Sequence, residues 1–196
     1  MAVKGLKVGS LNTSDDVSGL VKIVPTSVAV GSGSGSANSN GTVSFSGASS
    51  VSFNGCFTST YTNYRIVIAL ESSSTGAECV VRFRTNGTDN SSNVYYGNRQ
   101  GSYAYNTGHF STSVNPSTSS TGVVATDFTS RGGLATMDIS NPFEAKGTFV
   151  KFLTNYGYFQ AHGAFMHDSA TQFDGISFIP NSGTIIGNIS VYGYTI

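Results

Sequence analysis

The sequence predicts an all-β fold, a jelly-roll-like antiparallel β-sandwich carrying an extended N-terminal arm. Three observations support this. Helical periodicity is nearly absent, apolar residues alternate with hydroxyl residues at a period of two, and Gly, Asn and Ser break the chain into short runs. Long returns between the runs favour Greek-key connections over a simple meander, hence the jelly roll. No internal repeat points to a solenoid.

Taken in order, the chain begins with one candidate for helix, the stretch 14–21, where Asp15 and Asp16 precede Val17, Leu20 and Val21. Residues 21–30 form the first apolar run, but Pro25 disfavours a central strand there. The sequence Gly31-Ser32-Gly33-Ser34-Gly35-Ser36 then reads as a flexible linker. The expected division is an extended arm and Gly/Ser linker over residues 1–40 and the sandwich over residues 41–196. In the arm, Val21, Ile23, Val24, Val28 and Val30 are the candidate attachment positions.

Alternation takes over in the domain. Val43 and Phe45 alternate with serines, as do Val51 and Phe53, and Asn54-Gly55 marks a turn or bulge. The run 64–70 is almost wholly apolar, which predicts a strand covered on both faces. Cys79, Val81 and Phe83 share one face of the next strand, and Arg82 and Arg84 share the other. The two arginines fit either a solvated edge strand or salt bridges across a subunit contact. Residues 88–122 are the least regular, with short strands expected near 93–96 and 102–105 and an exposed loop over 111–121. Strands resume at 123–128, 134–139, 148–153 and 156–165. The runs 175–179 and 184–194 close the chain, joined through Asn181-Ser182-Gly183 as a tight hairpin.

Composition limits the function. Ser, Thr, Gly and Asn supply nearly half of the 196 residues, whereas charged residues are only 10%, against roughly 25% in an average soluble domain. Such a surface suits a molecule whose exterior meets protein neighbours. Net charge is zero with no basic stripe, which argues against a nucleic-acid partner. No run approaches the roughly 20 apolar residues of a membrane helix. The opening Met1-Ala2-Val3-Lys4 carries no apolar signal segment, so synthesis in a cytoplasm without export is expected.

Chemistry is sparse. Cys56 and Cys79 read as buried thiols rather than a disulfide. Asp168 and Asp174 are the one pair of loop carboxylates close in sequence and near aromatics, yet Asp174 before Gly175 reads better as a turn residue than as half of a glycosidase pair. His162, His167 and Asp168 lie close in sequence, but His162 and His167 are five apart and face opposite sides of a single strand. No Gly-x-Ser-x-Gly elbow and no phosphate loop is present. The expectation is a protein that is not an enzyme and needs no cofactor or metal. Aromatics are the richer signal: ten Tyr and thirteen Phe occur with no Trp. Tyr95, Tyr96, Arg99, Tyr103 and Tyr105 crowd the irregular region, and suit either an inter-subunit contact or adaptable recognition of a sugar.

Several segments carry a family resemblance. The closing stretch Phe173-Asp174-Gly175-Ile176-Ser177-Phe178, with Gly187-Asn188-Ile189-Ser190-Val191-Tyr192-Gly193, resembles that of structural proteins of tailed phages, many of them cyanophages. So do Phe57-Thr58-Ser59-Thr60-Tyr61-Thr62-Asn63-Tyr64-Arg65-Ile66-Val67 and Val24-Pro25-Thr26-Ser27-Val28. The resemblance implies a virion location and an assembly role as a capsid cement or decoration protein, docked by its arm on the major capsid protein or another virion protein and closed as a homotrimer. The alternative it implies is a tail or head fibre domain that binds a host-surface polysaccharide.

Overall fold

The computed structural model of the chain describes residues 19–74, 77–103, 108–114, 119–128 and 132–195. Among them there are strands and turns but no helix. The strands run β1 (Val21–Ile23), β2 (Ser27–Val30), β3 (Ser34–Ala37), β4 (Val43–Ala48), β5 (Val51–Asn54) and β6 (Asn63–Ser72). They continue with β7 (Ala77–Thr85), β8 (Thr88–Asp89), β9 (Tyr95–Tyr103), β10 (His109–Val114) and β11 (Gly122–Phe128). The last five are β12 (Gly133–Ser140), β13 (Thr148–Tyr156), β14 (Phe159–His167), β15 (Gly175–Pro180) and β16 (Ile185–Tyr194).

Every pairing is antiparallel, and two sheets result. The broad one has ten strands in the order β10-β9-β14-β13-β12-β6-β16-β4-β3, with β1 also on β16. The narrow one has six, β11-β7-β15-β5-β2, with β8 on β7. Their inner faces enclose one core, so the fold is the expected jelly-roll-like sandwich. Successive strands repeatedly change sheet, as β4, β5, β6 and β7 do, which is how such a fold is wound.

Alternation in the sequence becomes alternation of burial. Strand β13 is buried at every second residue from Thr148 to Tyr156. Phe83 of β7 lies at the centre of the core. Its ring stacks on Phe173 with centroids 5.0 Å apart and also meets Phe57, Tyr95, Phe165 and His167. Each such pair adds about 0.5–1.5 kcal/mol beyond the area it buries. Where rings need room, the facing residue is glycine. A Cβ on Gly101 would sit 2.3 Å from the Phe110 ring, and one on Gly163 would sit 2.3 Å from the Asn98 carbonyl oxygen.

Several expectations are corrected. Residues 21–37 are not a free arm and linker: β1 pairs with β16, β2 with β5 and β3 with β4, so both sheets claim this segment. Val28, Val30 and Ile23 pack against the core, Val21 is half-buried beside Gly193, and only Val24 is well exposed. Pro25 is compatible because it falls in the turn between β1 and β2. The domain therefore starts near residue 21 rather than 41, and residues 1–18, with most of the candidate helix, lie outside the described residues. Asn181-Ser182-Gly183 is not a hairpin, since β15 belongs to the narrow sheet and β16 to the broad one. The turn instead crosses the sandwich, with Gly183 at φ 65° and the Asn181 N–H donating to the Glu78 carbonyl at 2.9 Å.

Strand β6 is covered on one face only: Arg65, Val67 and Ala69 are half-buried on the outside. The irregular region resolves into one long strand, β9, where two short ones were expected, and β10 runs from His109 into the stretch expected to be a loop.

Candidate functional site

Three sequence-derived sites are taken apart by the fold. Tyr95 is fully buried; its hydroxyl accepts the Phe83 N–H at 3.0 Å and donates to the Asn90 carbonyl at 3.3 Å. Burial pushes its phenol pKa up. Arg99 points into the sandwich, where it forms an ion pair with Glu78 at 2.6 Å and lies over the Phe110 ring. Tyr103 packs on Phe159 and Phe110. Tyr96 alone of this group reaches the outer face, and Tyr105 lies outside the described residues. Parity within β9 explains the split, since odd positions face in and even positions face out.

The carboxylate pair is likewise not brought together as a catalytic couple. Asp174 is a corner: its Oδ2 accepts the Asn86 N–H at 3.0 Å, and its carbonyl accepts the N–H groups of Cys56 and Phe57. Asp168 is exposed beside the end of β14. His162 faces out while His167 faces in, as their spacing predicts. His167 is fully buried among Phe83, Tyr95 and Phe173, with both ring nitrogens unpartnered, and burial lowers its pKa. Among the described residues no group of three His, Cys, Asp or Glu is placed to hold a metal. Cys56 and Cys79 are free and buried, and burial pushes the Cys79 thiol up to about 12.

The arginines of β7 are not on an edge strand, because β7 lies between β11 and β15. Arg82 bonds the carbonyl and hydroxyl of Ser120. Arg84 is almost fully buried under the β8 turn, bonded to Asp89, Asn54, Ser52, Ser177 and the Gly87 carbonyl.

A further candidate lies on the outer face of the broad sheet. The register sets its residues in straight rows across the strands. One row runs Tyr192, Arg65, Asp138, Lys151, Ala164, Asn98, and the next runs Ser190, Val67, Thr136, Leu153, His162, Gln100. Three adjoining depressions follow the strand direction over β9, β14 and β13. The first two share Asn98, Asp138, Lys151 and Ala164, and the last two share Gln100, Leu153 and His162. Together they make a trough that passes from Tyr96 to Ser102 of β9, roughly 20 Å at about 3.4 Å per residue.

One wall is amide, from Asn98, Gln100 and Gln160. The other is apolar, from Phe149 and Leu153, which are 52% and 58% exposed. The central depression encloses about 610 Å³, within the range of small-ligand sites. At its side Arg65 clasps Asp138 with two bonds of 2.7 and 3.0 Å, which hold the guanidinium more firmly charged. Lys151 stands opposite Asp138 in the ladder, is exposed, and forms no ion pair among the described residues.

No protein-family model matches the chain, and no curated protein matches it. Among solved structures it is similar to a peanut lectin with a 9mer peptide, at 10% identity and a TM-score of 0.27, over 85% of this chain and 92% of that one. A likeness this distant carries no argument about the trough. Its residues were separately visible as polar or apolar strand positions, but only the register brings Asn98, Ala164 and Lys151 side by side.

Proposed function

We propose that the chain is a non-enzymatic structural domain of a tailed-phage virion, displayed at the particle surface, with the outer face of the broad sheet as its binding surface. The trough over β9, β14 and β13 carries this reading. It is concave and lined by the amides of Asn98, Gln100 and Gln160 and by Lys151, which forms no ion pair among the described residues, and it is built on paired strands. The hydroxyl-rich, charge-poor composition and the resemblance of three segments to phage structural proteins support the location. Of the two virion roles, the fibre-type domain that meets something outside the particle gains most. The cement role required residues 21–30 to be free for docking, and these are strands of the sandwich itself.

A second reading, decoration of a capsid as a homotrimer, is favoured by exposed Leu134, Phe149 and Leu153, which stand on neighbouring strands of the same face. Antibodies raised against the purified chain test both. On the first reading they label intact particles and block adsorption to the host. Labelling without any effect on adsorption favours decoration, and an absence of labelling on intact and opened particles refutes a virion location altogether.

A further inference from the structure

We infer that the trough binds a linear acidic polysaccharide, with the carboxylate or sulfate of one sugar unit seated on Lys151. The inference rests on the binding-face reading above and adds the chemical class of the ligand. The first argument is shape. Ala164 is directly registered to both Lys151 and Asn98, so the smallest side chain in the row forms a floor between an ammonium and an amide. Depressions continue from that floor in both directions along the strands, which suits a chain rather than a compact molecule.

The second argument is polarity. Asn98, Gln100 and Gln160 each offer a donor pair and an acceptor on the same side, and a sugar hydroxyl is both donor and acceptor. Phe149 and Leu153 present apolar surface opposite, against which the C–H face of a sugar ring can lie. The third argument is charge. Arg65 and Asp138 satisfy one another, whereas Lys151, on the same depression, forms no ion pair among the described residues, in a protein whose net charge is zero.

Other occupants fit less well. An extended peptide adds to a sheet through unpaired backbone groups, but β14 and β13 are paired on both sides. Nucleic acid needs several cations for its phosphates. A second copy laid face to face would trap two facing depressions of about 610 Å³ each, whereas stable subunit contacts pack as densely as protein interiors.

The test uses the full chain, titrated calorimetrically with polygalacturonate and with neutral dextran of matched length. Binding of polygalacturonate but not dextran is expected, weakened by added salt. Lys151→Ala should weaken it about tenfold and flatten the salt dependence, and Ala164→Phe, which raises the floor at an exposed position, should abolish it with an unchanged circular dichroism spectrum. Equal binding of dextran, insensitive to Lys151→Ala, overturns the acidic class while leaving the binding face intact. If neither polymer binds and Leu153→Asp turns an oligomer into a monomer, the inference and the reading beneath it both fall.

Discussion

Strand β13 carries two chemistries at alternate positions. Thr148, Val150, Phe152, Thr154 and Tyr156 are buried, whereas Phe149, Lys151, Leu153 and Asn155 look outward from the same backbone. Phe149 and Phe152 are three residues apart and of one type, yet one is 52% exposed and the other 4%. Position in the ladder, not residue type, therefore decides which phenylalanine holds the fold and which is free to meet a partner. Inner-face changes should be read in stability and outer-face changes in binding.

The comparison can be broken most directly at the centre of the core. Phe83→Ala removes the ring that joins Phe57, Tyr95, Phe165, His167 and Phe173, and should cost about 3–5 kcal/mol in urea unfolding. A loss below about 1 kcal/mol would mean that the sheets are not packed through this residue. A slightly smaller effect is expected at Arg84. Arg84→Leu takes the guanidinium from Asp89, Ser52 and Ser177 and leaves the Asp89 carboxylate without its cation, though the Ser177 hydroxyl still donates to it, at about 3 kcal/mol. The double change Arg84→Leu with Asp89→Leu should recover part of that loss, because no unpaired charge then remains; a double variant less stable than the single one would disprove the pairing.

His167 sharpens the comparison through pH. Its ring is enclosed by Phe83, Tyr95 and Phe173, and burial lowers its pKa below the ordinary value, about 6.5 in an unfolded chain. The unfolded state therefore binds the proton first as pH falls, so stability should be constant above that value and decline below it. Denaturant midpoints at about pH 7.5 and about pH 5 should differ for the wild type and differ less for His167→Phe. An identical pH dependence in both proteins would show that the ring is not enclosed as described.

The sandwich was legible because its signal is local. Alternation at Val43 and Phe45, and at Cys79, Val81 and Phe83, states which side of a strand faces in, and the structure follows it at each. What was not legible depends on distant partners. Ser34–Ala37 has the composition of a linker but forms a strand, since the edge of β4 offers it a ladder. Asn181, Ser182 and Gly183 look the same whether they turn within a sheet or cross between two. Tyr95 and Tyr96 are adjacent and chemically alike; only the start of β9 decides that the first is core and the second is surface. The trough is the extreme case. Asn98, Lys151 and Ala164 come from three strands, and no spacing along the chain announces that their positions coincide.

The smallest effect is expected on the outer face, and it separates the two virion roles. Leu153 is 58% exposed in the single chain, so Leu153→Ser removes little buried area, and surface changes of that kind stay within about 0.5 kcal/mol. Phe152→Ala, one residue away, should cost about 3–5 kcal/mol, because that side chain is 4% exposed in the core. If the chain acts as a fibre-type domain, the near-neutral result at Leu153 holds at every protein concentration. If three copies bury this face against one another, Leu153→Ser instead costs stability that grows with protein concentration, because subunit binding stabilises the folded state by mass action. Unfolding both variants at two concentrations a hundredfold apart reads the difference without knowledge of the ligand.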